Sequence, residues 1–199
     1  MRELMRRRRG VASGVISPRP FTYAMLCRMP EEEGVRYEIY DGQLVVMPSP
    51  SNEHQSVVLN LAVILRQWVR QRALGQVLIS PMDVVLERQS VCQPDVMFIA
   101  KQRKRALLPG RDSHVMGSPD LAVEVISRSK TRDRKTKFEL YARFGVPHYW
   151  IVDPRERTLD AFGLEDGAYS LAAEHRGRQT FRPALFPGLK IPLPELWRP

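Results

Sequence analysis

The segment Leu121-Ala122-Val123-Glu124-Val125-Ile126-Ser127 constrains this chain more than any other. Side chains alternate across a strand, so Leu121, Val123 and Val125 share one face and Ala122, Glu124 and Ile126 share the other. Both faces are apolar apart from one carboxylate, the pattern of a central strand covered on two sides. A chain that contains it must therefore stack layers on both faces of a sheet. The carboxylate must be protonated, paired or bound to a metal ion, because an isolated buried charge costs too much. On the strand alone, a structural salt bridge and a functional acid are both open.

The other elements follow from periodicity and turn chemistry. Residues 21–29 read as a short helix, and two strand-like runs flank Asp41-Gly42, a hairpin signal. From Ser51 to Leu74 the pattern is helical, with Val58, Leu61, Leu65 and Trp68 on one stripe and Gly75 as the stop. QVLISPMDVVLE reads as one or two strands, and QPDVMFIA as another, entered through a proline that cannot sit mid-ladder. Residues 101–118 read as a long basic connection, and Arg132 to Phe144 as a second helix stopped by Gly145 and Pro147. HYWIVDP is a buried strand, residues 158–174 form a hairpin turning at Glu165-Asp166-Gly167, and the proline-rich end wraps the core. This order predicts a mixed α/β (α+β) domain, with a central mixed β-sheet flanked by helices and additional β-hairpins.

The length of 199 residues suits one domain with a real core. The net charge of +9 is unevenly placed: residues 1–28 hold seven arginines and one glutamate, leaving 24 basic and 21 acidic residues in the body. Residues 1–19 are expected to form a basic, disordered tail and residues 20–199 the single domain; the tail is either solvated or a sequence-blind phosphate contact. Cys27 and Cys92 fit neither a disulfide framework nor a zinc site. No apolar run approaches the roughly 20 residues that span a bilayer, and no apolar segment follows the arginines as a signal peptide requires. The expectation is a cytoplasmic protein without a membrane partner.

Asp95 opens the strand VMFIA directly after Pro94. Alone it is an ordinary turn residue, but two acids on neighbouring strands can converge on one hard cation. Such an ion activates water against a phosphodiester. Lys137 lies four residues before Tyr141 on the second helix and so beside its apolar stripe. It either reaches the sheet edge near Glu124, to orient water or offset phosphate charge, or pairs with Asp133 on the surface. His54 opens the long helix on its buried stripe, as a cap, a core residue or a site residue. Glu38 shares a face with Tyr40, as a third acid or an exposed hairpin residue. Between Arg128 and Lys137 stand six basic residues and one acid. Arg128, Lys130 and Arg132 are thus candidate nucleic-acid contacts, or else a solvated loop.

Taken together, YEIYDGQLV, SPSNEHQ, QPDVMFIA, PDLAVEVIS, DRKTKFELYARFGVPHYWIVDP and the closing LFPGL resemble the Uma-two family. This is a group of restriction endonucleases in the PD-(D/E)XK nuclease superfamily. The resemblance covers nearly everything from about residue 20. It implies a restriction-endonuclease-like core with the active site at one sheet edge. Asp95 matches the aspartate of the PD motif and Glu124 the acid of the (D/E)XK motif. The position two after it is Ile126 rather than lysine, and Lys137 on the following helix matches the displaced lysine. Glu38 and His54 match recurrent polar positions. Where the family tends to have Ser-Pro-Ser-Thr, this chain has Ser127-Arg128-Ser129-Lys130. The implied activity is a magnesium-dependent DNA endonuclease, with manganese able to substitute, in which Asp95 and Glu124 bind metal and Lys137 assists the attacking water. The alternative is a non-catalytic nucleic-acid- or protein-binding module on the same scaffold. A homodimer, with a partner copy supplying specificity, is a third reading.

Overall fold

The computed structural model describes residues 20–30, 35–47, 49–108, 110, 114–126 and 132–199, with the side chains of 132–134 left aside. The tail of residues 1–19, Arg128, Lys130 and the side chain of Arg132 therefore lie outside the described residues.

The first elements are a one-turn helix α1 (Tyr23–Leu26) and the hairpin β1 (Arg36–Tyr40) and β2 (Gln43–Met47). Asp41 and Gly42 make the turn with φ of 49° and 77°, as the Asp-Gly pair requires. Helix α2 (Asn52–Gln71) follows, then β3 (Gly75–Ile79), β4 (Asp83–Glu87), β5 (Ser90–Cys92) and β6 (Val96–Ala100). The basic connection contains a turn of helix, α3 (Lys104–Leu107), and a short strand, β7 (His114–Met116). After β8 (Leu121–Val125) a π-helical turn (Arg132–Lys137) runs into α4 (Phe138–Arg143). The rest comprises β9 (His148–Asp153), the hairpin β10 (Thr158–Glu165) and β11 (Ala168–Arg176), the short pair β12 (Thr180–Phe181) and β13 (Ile191–Pro192), and α5 (Leu193–Leu196).

Two sheets organise these strands. The larger runs β11-β10-β9-β8-β6-β3, and is mixed because β8 and β9 are parallel while its other pairs are antiparallel. The smaller runs β2-β1-β5-β4-β7, with β4 and β7 parallel. The acidic strand β8 is central, as its pattern demands. Leu121, Val123 and Val125 face a core shared with Val58, Leu61 and Leu65 of α2 and with the C-terminal Phe186, Leu193 and Leu196. Ala122 and Ile126 face a second core that joins Leu140 and Tyr141 of α4 to Tyr40, Val45 and Cys92 of the smaller sheet. Glu124 points into this second layer, in the seam between the two sheets.

Helix α2 ends differently from the sequence expectation. Its last helical residue is Gln71, and Ala73 takes the left-handed conformation with φ of 51°. Gly75 instead opens β3 against β6, where a Cβ would stand 2.1 Å from the carbonyl oxygen of Ile99. Glycine is needed there for close approach of two backbones rather than to stop a helix.

Candidate active site

The register of β6 against β8 pairs Phe98 with Leu121, Met97 with Ala122 and Val96 with Val123. One step further along the same ladder, Asp95 comes opposite Glu124. Asp95 Oδ2 accepts the backbone N–H of Val125 at 2.8 Å and lies 3.1 Å from His54 Nε2. The first turn of α2 delivers His54 to this point, because Ser51 caps the helix by accepting the His54 backbone N–H at 3.3 Å. Arg36, the first residue of β1, brings Nη1 to 3.9 Å from Asp95 Oδ1 and donates to Ser80 Oγ at 3.2 Å.

Glu124 is held from α4 and the turn before it. Tyr141 donates to Oε1 at 2.9 Å and Lys137 Nζ to Oε2 at 2.8 Å. The four-residue spacing puts both donors on one helical face. Lys137 Nζ also donates to Glu38 Oε1 at 3.1 Å, so the ammonium bridges an acid from each sheet. Glu38 further accepts the backbone N–H of Gln93 at 2.8 Å and the hydroxyl of Tyr40. Its exposed hairpin reading is thereby excluded.

Burial sets the electrostatics. Glu38 is 1% exposed, Lys137 2%, Glu124 3%, and His54 and Asp95 4% each. Charges this deep are tolerated only when their lone pairs and protons are met, and removing one member strands the rest. Burial pushes the Asp95 carboxyl up, but the His54 hydrogen bond and charge, the Lys137 ammonium and the Val125 N–H together hold it below its ordinary value. Burial, followed by the nearby Glu38 carboxylate, raises the Tyr40 phenol; burial and Glu124 raise that of Tyr141. Both phenols thus stay protonated and donate.

All five sequence candidates within the described residues gather in this one place. Sequence reasoning missed Arg36, Tyr40, Gln93 and Tyr141 as polar members. Tyr141 had a signal, since it shares a helical face with Lys137, but it reads as part of the apolar stripe. Arg36 had none, because an arginine opening a hairpin strand looks like a surface residue.

The donor chemistry fits a hard divalent cation: Glu38, Asp95 and Glu124 offer carboxylate oxygens, and acidic charge exceeds what Lys137 alone offsets. Among the described residues, however, no three His, Cys, Asp or Glu side chains form a ready-made metal cage. A cation would share Glu124 with the lysine that now holds it.

A mixed sheet flanked by helices, with two acids meeting on adjacent interior strands, is a restriction-endonuclease-like α/β arrangement. The structure is similar to the crystal structure of a "putative nuclease belonging to DUF820" from Anabaena variabilis, with a TM-score of 0.74 at 16% identity, covering 89% of this chain and 98% of that chain. Over residues 23–194 the sequence matches the Uma2 family, described as "Putative restriction endonuclease", and the chain belongs to that family. Among curated proteins no match is found.

Proposed function

We propose that this protein is a nuclease that hydrolyses phosphodiester bonds of DNA, with Asp95 and Glu124 holding a magnesium ion for which manganese can substitute. The observation that carries this reading is the buried convergence of Glu38, Asp95 and Glu124 with Lys137 at 2.8 Å from Glu124. When bound, such an ion polarises the phosphodiester and lowers the pKa of the attacking water. The chain's own groups do the positioning. His54 Nε2 and the Val125 N–H fix Asp95 Oδ2, and the Tyr141 hydroxyl fixes Glu124 Oε1. Lys137 Nζ, steered by Glu38, orients the water or offsets charge on the phosphate.

The test is plasmid DNA cutting with magnesium or manganese, its abolition by EDTA, and the variant Glu124→Gln. Glutamine keeps the shape and an oxygen for Tyr141 but removes the charge. A loss of at least about 100-fold is expected, the size of losing one charge-stabilising group. Undiminished cutting by Glu124→Gln overturns the assignment. The Lys137 bridge, which already occupies Glu38 and Glu124, favours one second reading, a non-catalytic nucleic-acid-binding module. That reading predicts DNA retention in a gel that survives EDTA, without turnover.

A further inference from the structure

Among the described residues, two side chains that reach Asp95 each keep a buried polar atom without a hydrogen-bond partner, Arg36 Nε and His54 Nδ1. Such atoms are few in folded proteins, and two beside one carboxylate mark a place that something else completes. Of their owners, only arginine carries a charge fixed at every working pH.

Arg36 is underused where it stands. Its Nη1 donates to a neutral hydroxyl, that of Ser80, at 3.2 Å. Asp95 Oδ1 lies at 3.9 Å, beyond a hydrogen bond, while His54 has the nearer contact with Asp95. The Nε–H is left over. Nε and an Nη of one guanidinium form a fork that matches two oxygens of a phosphate. Arg36 is also the charged group at the rim: its side chain is 22% exposed, against 5% for Asp95, 4% for Glu124 and 2% for Lys137 and Glu38. A polyanion arriving from solvent meets this cation beside the two acids.

We propose that Arg36 is a catalytic residue whose guanidinium binds the non-bridging oxygens of the phosphate under attack. This rests on the phosphodiester reading above. The competing account makes Arg36 a counter-charge that merely steadies Asp95.

The two accounts separate on the full chain carrying Arg36→Ala or Arg36→Lys. Lysine keeps the charge but loses the fork. The first measurement is steady-state cutting of plasmid DNA with magnesium. We expect Arg36→Ala to lower kcat by about 100-fold, as for a lost transition-state donor. Arg36→Lys should recover part of it. The second is binding of a short DNA duplex in EDTA across a range of salt, which needs no turnover. Arg36→Ala should weaken binding and reduce the slope of log K against log salt by about 1. The third is manganese affinity without DNA. Losing a mere counter-charge would tighten manganese binding and leave both DNA readouts unmoved, and that result overturns the proposal. Should wild type bind DNA but never cut it, the catalytic reading fails. The binding arm still judges Arg36 as a phosphate contact: a shallower salt slope sustains the contact, and an unchanged slope removes it. If Arg36→Ala does not fold, Arg36→Lys decides, and wild-type kcat with wild-type salt slope in that variant overturns the proposal.

Discussion

Asp95 places two contacts on one oxygen. Oδ2 takes the Val125 N–H and the His54 ring, and Arg36 stands off Oδ1. Because these groups hold the folded carboxyl below its ordinary value of 3.8, folding is favoured by its ionisation. That stabilisation is complete above about pH 5, where the unfolded aspartate is fully ionised. It disappears as pH falls from there through the lower folded value. Urea midpoints measured between pH 5 and pH 3 should therefore fall more steeply for wild type than for Asp95→Asn; parallel slopes would mean that the acid is not held low. The same residue shows what a sequence can reveal. Glu124 stands out in the linear chain because a charge interrupts an apolar run. Asp95 becomes visible only beside a second acid, and Lys137 only on a helical face, with a surface pair left as its rival. Arg36 and Gln93 owe their place to hydrogen bonds 44 and 55 residues away, with Ser80 and Glu38 respectively. No local pattern encodes such contacts.

At the scale of elements, local chemistry predicts strands and turns well and their partners poorly. The Asp41-Gly42 and Asp166-Gly167 turns adopt the positive φ values that their residues suit. Helix α2 begins directly after Ser51, which caps it by accepting the His54 N–H. The strand β7, hidden in a basic connection, is three residues long and exists because it pairs with β4. Gly75 misleads for the same reason, since the Ile99 carbonyl that requires it belongs to another strand. Gly75→Ala should destabilise the fold by about 1–3 kcal/mol or more, because backbone on both sides cannot yield cheaply. Gly163→Ala, in β10 with nothing within 4 Å of the added methyl, should stay near wild type. Chemical denaturation of both variants checks the contrast, and equal stabilities would refute it.

Across the whole molecule, charge and fold are distributed separately. Residues 1–19 hold six arginines and one glutamate, whereas beyond residue 28 basic and acidic residues nearly balance at 24 and 21. The family match begins only at residue 23. If the protein acts on DNA as proposed, the tail offers the concentrated positive charge for a sequence-blind phosphate contact and the rest offers the buried acids. A chain lacking residues 1–19 should keep metal-dependent cutting, bind DNA more weakly and show a shallower salt slope. A slope equal to that of the full chain would mean that the arginines do not touch phosphate. Among the described residues no helix is long and apolar enough to cross a membrane.

The Lys137 bridge has one more consequence. Glu38 hangs from the smaller sheet, and Glu124 from the larger. The strands of the two sheets alternate along the chain: β3 falls between β2 and β4, and β7 falls between β6 and β8. Any cut in the gene between Glu38 and Lys137 parts the four residues Glu38, Asp95, Glu124 and Lys137, and any cut between β3 and β7 also parts both sheets. This centre can be inherited only whole. A lineage that split or shuffled the chain between β3 and β7 would lose the joint between its sheets and its chemistry in the same event.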